Sequence, residues 1–180
     1  MKIMNGGVAV VTGGASGLGK AMAEEAARRG MKVVIADVEA GAMEQAVTDL
    51  RANGAEAIGV LTDVTSAASV EALAVTTEES FGPANLLFNN AGVASGGPIW
   101  ESTEKDWKWL FGVNVEGVAN GVRSFTPRML AAAAADAAYQ GCIVNTASMA
   151  GLVTAPGMGI YSVSKHAVLA LSECLYHDLD

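Results

Sequence analysis

The sequence predicts an α/β fold in which a Rossmann-type, doubly wound parallel sheet is flanked by helices. Short apolar runs rich in β-branched residues alternate with longer, alanine-rich segments of helical periodicity. The runs are apolar almost throughout, which is typical of parallel strands buried on both faces. Alternating strands and helices imply right-handed crossovers between neighbouring strands of one sheet. The predicted strands cover residues 8–12, 32–37, 57–62, 85–90 and 142–146.

Local signals predict where several helices begin and end. Gly30 follows the first helical pattern at a position where a helix C-terminus favours a left-handed residue. The residues from Thr103 to Asp106 form a capping box and predict a helix start. An alanine-rich stretch predicts a helix that extends after Pro127 and ends before Gly141, because alanine is the best helix former.

Composition limits the class of protein. The chain has 180 residues, of which 51% are hydrophobic, enough for one domain over residues 1–180 with a sizeable core. Its formal net charge of -8 disfavours nucleic acid and anionic membranes, which are bound by clustered Lys and Arg. No segment has the apolar length of a membrane span, and residues 1–6 lack the apolar stretch of a secretory signal.

The two cysteines bear on the cellular compartment. Cys142 and Cys174 lie in apolar segments and lack the spacing of metal ligands. We therefore expect reduced core cysteines, with a disulfide as the less favoured alternative, and no metal site. Together with the composition, this predicts a soluble, cytoplasmic protein.

A glycine-rich loop directly follows the first predicted strand and opens a helix. Glycines allow the backbone to turn sharply and approach a pyrophosphate, which the helix N-terminus stabilises through free N–H groups and its dipole. An ordinary glycine-rich turn is the alternative, but the strand before and the helix after supply the context of a dinucleotide site. The candidate phosphate-binding residues are Gly13, Ser16, Gly17, Leu18 and Gly19.

An acidic residue closes the second predicted strand. Asp37 can accept hydrogen bonds from the adenosine ribose hydroxyls, and its charge would repel the 2′-phosphate of NADP. The positions where an NADP-binding site would place Arg or Lys hold Ser16 and Val38. The sequence therefore predicts NAD rather than NADP, with a helix-capping role for Asp37 as the alternative.

Polar segments follow the third and fourth predicted strands. Asp63 and Val64 come after the third strand, and Asn90, Ala91 and Gly92 come after the fourth. Open α/β sheets bind ligands at the edge where the carboxyl ends of their strands meet. These residues are therefore candidate cofactor contacts, although each segment alone could be an ordinary satisfied turn.

Tyr161 and Lys165 lie four residues apart and therefore share one face of a predicted helix. A neighbouring ammonium favours the phenolate, so Lys165 can bring Tyr161 toward the range of a working acid or base. By itself the pair is weak evidence, since a surface pair has the same spacing. Ser148, after the fifth strand, can hold a substrate oxygen, and Asn114 lies within a predicted long helix where asparagine is otherwise unfavourable.

These motifs resemble those of the short-chain dehydrogenase/reductase family. The glycine spacing Thr-Gly-x-x-x-Gly-x-Gly is similar, and Asn114, Ser148, Tyr161 and Lys165 match the family's catalytic set in order and context. The resemblance runs from Val8 to the last residue.

The resemblance implies a role for each site residue. Tyr161 would be the acid/base, while Lys165 holds the nicotinamide ribose and tunes the tyrosine. Ser148 would position the substrate oxygen, and Asn114 would anchor a water that relays the proton. It also implies that Asp63 and Val64 flank the adenine, while the segment from Asn89 to Gly92 steadies the sheet and lines the cofactor cleft.

The implied function is hydride transfer between NAD(H) and a secondary alcohol or ketone, with a small-molecule substrate. Association into a homodimer or homotetramer is also implied, through the helix holding Asn114 and the one holding Tyr161. Relatives in the family usually continue beyond this helix, so the chain would lack their last strands and leave the fifth strand as an exposed edge. A non-enzymatic NAD(H)-binding module and a mainly structural subunit are the alternatives.

Overall fold

A five-stranded parallel sheet forms the centre of the computed structural model, which describes residues 6–180. The strands pair in the order β3-β2-β1-β4-β5. The strand order reverses between β1 and β4, and such switch points form a crevice at the carboxyl ends of the strands. The strands are β1 (Val8–Thr12), β2 (Lys32–Asp37), β3 (Ala57–Leu61), β4 (Leu86–Asn89) and β5 (Cys142–Asn145).

Helices cover both faces of the sheet. Side chains of β1 alternate between the two faces, so that Val11 packs with the α1 and α2 layer and Val10 with the α3 and α5 layer. The alternating strand and helix pattern of the sequence therefore gives the expected doubly wound architecture. The helices are α1 (Gly17–Arg28), α2 (Ala40–Ala52), α3 (Ala67–Phe81), α4 (Glu104–Phe111), α5 (Gly117–Ala135) and α6 (Gly159–Leu179).

Burial distinguishes the central strands from the edge strands. All five residues of β1 are buried, as expected, but in β3 only Ala57 is buried and no residue of β5 is fully buried. The expectation of burial on both faces is thus wrong for β3 and β5, because within residues 6–180 each has a neighbouring strand on one side only. The exposed β5 edge expected from the sequence is confirmed.

An apolar groove of about 580 Å³ runs along this β5 edge, between α5 and α6. Leu175 and Leu179 of α6 line it, together with Leu130 of α5 and Val144 of β5. Part of the apolar surface of α6 therefore lies at the sheet edge. The association of copies expected from this helix stays a prediction.

The local helix signals have mixed outcomes. Gly30 has a φ of 78° directly after α1, and the side chains and backbones of Thr103 and Asp106 form the predicted reciprocal capping box. The alanine-rich helix ends before Gly141, as predicted, but it begins upstream of Pro127, which lies inside α5. Buried Phe125 and Met129 on either side of the proline hold the helix continuous against the sheet.

Two findings concern membranes and metals. No helix among residues 6–180 is long and apolar enough to cross a membrane. Within the same residues no cluster of three or more His, Cys, Asp or Glu side chains could hold a metal ion. The expectation about a secretory signal rests mainly on residues 1–5, which lie outside the described part of the chain.

The fold generates a prediction about two helical glycines in the full-length protein. A Cβ atom at Gly121 would lie 2.0 Å from Oδ1 of the buried Asn89, whose amide already donates to Asn145. Gly121→Ala should therefore lower the free energy of unfolding by about 1–3 kcal/mol, because the buried amide would have to move. Gly41 in α2 has open space, so Gly41→Ala should raise it by about 0.5 kcal/mol. Urea denaturation measures both, and equal effects would contradict this packing.

Candidate active site

The loops after β1, β2, β3 and β4 enclose a cleft of about 620 Å³ at the switch point of the sheet. The cleft lies where the strand order predicts a ligand site. Eleven of the thirteen predicted cofactor-binding residues line it, namely Gly13, Ser16, Gly17, Leu18, Gly19, Asp37, Asp63, Val64, Asn90, Ala91 and Gly92. The other two, Tyr161 and Lys165, lie beyond its end at Gly92.

The glycine loop leaves no room for a side chain at Gly13 or Gly19. A Cβ atom at Gly19 would lie 2.0 Å from the main-chain oxygen of Gly13, and one at Gly13 would lie 2.9 Å from Cα of Ala91. Gly17 has a φ of 52°, in the left-handed region that favours glycine. Exposed Ser16 precedes α1, and its side chain makes no capping hydrogen bond. The loop thus presents free backbone and a free hydroxyl at a helix N-terminus, which fits a pyrophosphate.

Asp37 joins the glycine loop to the end of β2. Its Oδ2 accepts a hydrogen bond from the Ala15 N–H at 3.0 Å, and its Oδ1 accepts one from the Glu39 N–H at 3.1 Å. The second bond lies just before α2, so the alternative capping role is partly realised. No Lys or Arg is among the described residues that line the cleft. The carboxylate therefore faces the cleft without a compensating cation.

Asp63 and Asn90 make different uses of their side chains. Oδ1 of Asp63 accepts hydrogen bonds from the N–H and hydroxyl of Thr65, so this residue forms a satisfied turn beside the cleft. Asn90 reaches across the sheet, where its amide donates to the main-chain oxygens of Thr12 at 3.1 Å and Gly13 at 3.3 Å. Asn90 thereby fixes the end of β4 against the glycine loop.

Asn114 lies in a π-helical segment, Gly112–Glu116, between α4 and α5. Its side chain is completely buried and its amide donates to the Val93 oxygen at 2.9 Å and to Oγ of Ser164 at 3.1 Å. Its Oδ1 accepts from the Val93 N–H at 2.8 Å. Asn114 thus ties this segment to the loop after β4 and to α6. The sequence predicts a regular helix here, and π segments of this kind often occur at functional sites.

Tyr161 and Lys165 share one face of α6, with the ammonium 5.8 Å from the centre of the phenol ring. Lys165 is buried, and its Nζ donates to the Thr146 oxygen at 2.8 Å. Burial lowers the pKa of the Lys165 ammonium below its usual value. Tyr161 is half-buried at the start of the helix.

Ser148 caps a 3-10 turn, Met149–Gly151, which follows β5. Its Oγ accepts a hydrogen bond from the Ala150 N–H at 3.1 Å. The turn packs closely on α6, since a Cβ atom at Gly151 would lie 2.8 Å from the Lys165 oxygen. The structure therefore brings the loop of Ser148 beside the helix of Tyr161 and Lys165.

The cleft also contains residues that sequence reasoning missed. Trp109 lies on α4 and is half exposed, four residues before Val113, so the two share a helical face. That spacing, together with the position of Val113 next to Asn114, was the available signal. The others are chain neighbours of predicted contacts, and the sequence already placed Val38 beside Asp37 at the ribose site. The further lining residues are Val38, Thr62, Thr65 and Val93.

A family model described as short chain dehydrogenase matches residues 7–180. The chain belongs to the short-chain dehydrogenase/reductase family. The expected family and fold are thereby confirmed.

Two solved structures resemble the chain closely. A short-chain dehydrogenase/reductase from Burkholderia phymatum, solved in complex with NAD, is 56% identical with a TM-score of 0.95, over 99% of this chain and 62% of that one. NAD+-bound xylitol dehydrogenase is 34% identical with a TM-score of 0.92, over 99% and 66% respectively. A dinucleotide of the expected type is thus bound by solved structures of the same fold.

Curated relatives are named as dehydrogenases or reductases. The CLA biosynthesis dehydrogenase/reductase of Lactiplantibacillus plantarum is 38% identical over 99% of this chain and 61% of that protein. The C alpha-dehydrogenase of a Sphingobium strain is 40% identical over 96% of this chain and 55% of that protein. The chain spans about three fifths of the length of these relatives.

The buried ammonium of Lys165 generates a prediction about stability and pH. Because burial lowers the pKa of Lys165, the unfolded chain binds more protons at this residue, and the free energy of unfolding rises with pH. The rise lies between the lowered pKa and the usual value of 10.5. Urea titrations of the full-length protein measure this effect. The free energy of unfolding of the parent minus that of Lys165→Met should increase as pH rises across this range.

Lys20 provides a matched control of opposite sign. A hydrogen bond to Asp49 raises the pKa of Lys20, so its contribution to stability is lost as pH rises through that pKa. The free energy of unfolding of the parent minus that of Lys20→Met should therefore decrease at alkaline pH. A flat or falling difference for Lys165→Met would contradict burial of a charged ammonium.

Proposed function

We propose that this chain is the cofactor-binding and catalytic part of an oxidoreductase that transfers a hydride between NAD(H) and a secondary alcohol or ketone. The observation that carries the proposal is the position of Gly92. Gly92 lines the cleft, and a Cβ atom there would lie 3.5 Å from Oδ1 of Asn114 and 3.7 Å from Nζ of Lys165. The candidate cofactor cleft therefore opens directly onto the candidate catalytic residues.

The residues of the cleft fit the parts of a dinucleotide. The glycine loop and the start of α1 would hold the pyrophosphate, and Asp37 would accept hydrogen bonds from the adenosine ribose. Asp63 and Val64 would flank the adenine. Asn90, Ala91 and Gly92 would line the path toward Tyr161 and Lys165. When bound, NAD(H) supplies the hydride donor or acceptor.

Tyr161 is the proposed acid and base. In ketone reduction its hydroxyl gives a proton to the carbonyl oxygen, and in alcohol oxidation its phenolate takes the proton back. An adjacent ammonium stabilises the phenolate, and Lys165 stands beside the ring.

Three residues orient the reacting groups. Lys165 donates one hydrogen to Thr146, which fixes the ammonium and leaves its other hydrogens for the nicotinamide ribose and the phenol. Ser148 is proposed to hold the substrate oxygen. Asn114 holds the loop of Val93 against α6, and we assign it the further role of anchoring a water that returns protons.

Cofactor preference is the first prediction from this proposal. NAD(H) should bind to the full-length protein at least about tenfold more tightly than NADP(H), or about 1.4 kcal/mol, because the Asp37 carboxylate repels a 2′-phosphate. Titration by tryptophan fluorescence measures both affinities, since Trp109 lines the cleft.

Two matched variants test the cause of this preference. Asp37→Asn should reduce the difference between the affinities for NAD(H) and NADP(H), because it removes the charge and keeps the side-chain volume. Glu39→Gln removes an exposed carboxylate just outside the cleft and should leave this difference in affinity unchanged. Equal affinities in the parent, or tighter NADPH binding, would refute the assignment.

Loss of the phenolic oxygen is the second prediction. In the full-length protein, Tyr161→Phe should lower kcat by a factor of about 10²–10⁴ and keep NADH affinity, because it removes the proton donor and little else. Lys165→Ala should be as damaging or worse, and Ser148→Ala should mainly impair substrate positioning. Tyr176→Phe changes an exposed tyrosine of the same helix and is the control.

The measurement is NADH oxidation against a panel of ketones, with NADH affinity determined in parallel. Near-normal turnover by Tyr161→Phe would show that the proposed mechanism is wrong. A parent protein that binds NADH and reduces no ketone would instead favour a binding module without catalysis.

A further inference from the structure

Two loops form a common rim beside Tyr161. Residues 91–100 follow β4, and residues 147–160 follow β5 and lead into α6. The loops are joined where the Gly97 N–H donates to the Gly157 oxygen at 2.8 Å, next to a parallel bridge between Gly97 and Met158. Gly159 also packs on Ile99, since a Cβ atom there would lie 2.7 Å from the isoleucine Cβ. The rim is therefore one connected surface at the first turn of α6.

The rim exposes large apolar side chains. Met149 is 70% exposed immediately after Ser148, and Leu152 and Val153 are 65% and 59% exposed. On the other loop, Trp100 is 82% exposed. The 3-10 turn that carries Met149 packs on α6 through Gly151, so its backbone is held in place by the helix.

The rim carries no charge. Residues 80–100 and 141–164 contain no Asp, Glu, Lys, Arg or His, although 17% of the chain is charged. The next charge in the sequence on one side is Glu101, an exposed carboxylate. On the other it is Lys165, which is buried and bonded to Thr146. An anionic substrate would therefore find no exposed counter-charge on the rim and would meet a repulsive one at Glu101.

The position of the exposed apolar side chains on the rim indicates what they bind. Met149 is the residue after Ser148, the proposed contact of the substrate oxygen, and Gly151 of the same turn touches the backbone of Lys165. A protein partner seated on Met149 would cover Ser148 and obstruct the reaction. Because Met149, Leu152 and Val153 follow Ser148 within five residues of one loop, these exposed side chains border the proposed contact of the substrate oxygen and are available to the neighbouring carbons of a small molecule.

We propose that the substrate is an uncharged secondary alcohol or ketone with a large apolar skeleton, packed on Met149, Leu152 and Val153. This inference rests on the function proposed above. Its energetic basis is the burial of apolar surface, which contributes about 0.8 kcal/mol for each methylene group and corresponds to a factor of about four in kcat/KM.

A series of straight-chain methyl ketones, from butanone to decanone, tests the inference in the full-length protein. We expect kcat/KM to rise about fourfold per methylene group until the exposed apolar side chains of the rim are covered. A keto acid of the same length, ending in a carboxylate, should be poorer by about a hundredfold, because its charge would lie on an apolar surface without a partner. Independence of chain length, or a preference for the keto acid, would overturn the inference and leave the proposed hydride transfer intact.

Substitutions on the rim locate the effect. Met149→Ser and Leu152→Ser should reduce the gain per methylene group, whereas Met149→Leu should keep it, because its volume and apolarity are similar. NADH affinity reports whether the variants are folded. Val75→Ser changes an exposed apolar residue on α3, remote from the rim, and should leave both quantities unchanged. A Met149→Ser variant with the parent chain-length dependence and an altered sedimentation rate would overturn the inference in favour of a protein interface.

Failure of the proposed function has a separate signature. If NADH binds and no ketone is reduced, the catalytic proposal fails, and the inference is judged by binding of the same ketones to the NADH-loaded protein. Affinity that increases with chain length, read from the NADH fluorescence, supports an apolar site. Affinity that does not change with length, or tighter binding of the keto acids, overturns it.

Discussion

The hydrogen bonds between Thr12 and the residues after β4 are the constraint on which the candidate site depends. Oγ1 of buried Thr12 accepts from the N–H groups of Asn90 and Ala91 at 3.0 and 3.1 Å, and donates to the Phe88 oxygen at 3.2 Å. These bonds join β1 and β4, where the strand order reverses. Together with the backbone pairing of β1 and β4, they hold the glycine loop and the segment ending at Gly92 on facing sides of one cleft.

A polar layer covers the carboxyl edge of an otherwise apolar core. Asn89 donates to Asn145, Asn145 donates to Ser172 of α6, and the Ser172 hydroxyl donates to the Val168 oxygen. Each bond contributes about 1 kcal/mol net, but an unpaired buried group costs about 1–3 kcal/mol. The layer therefore contributes less to total stability than to fixing a single arrangement of β4, β5 and α6.

The sequence predicts those features that depend on local pattern. The buried strands follow from apolar runs, the capping box from Thr103 and Asp106, and the cleft-lining glycines from their spacing between a strand and a helix. The exposure of Val144 in β5 could not be predicted in this way, because burial of an edge strand depends on neighbours far away in the sequence. The partners of Asn114, Val93 and Ser164, are likewise set by tertiary packing.

The π-helical segment Gly112–Glu116 joins α4 and α5 into one continuous helical stretch and sets the rotation of one helix relative to the other. Leu110 and Met129 are both buried, and the interval between them exceeds by about one residue the five turns that an α-helix completes at 3.6 residues each. The segment absorbs this extra residue, so Leu110, the buried residue of α4, remains in phase with the buried stripe of α5. A chain shortened by one residue within 112–116 would keep Leu110 and the buried stripe of α5 on the core and lose only the widened turn that holds Asn114. The same deletion in the middle of α5 would rotate the rest of the helix by about 100° away from the sheet. The orientation of Asn114 is therefore encoded by the length of the chain at this point as well as by the identity of its residues.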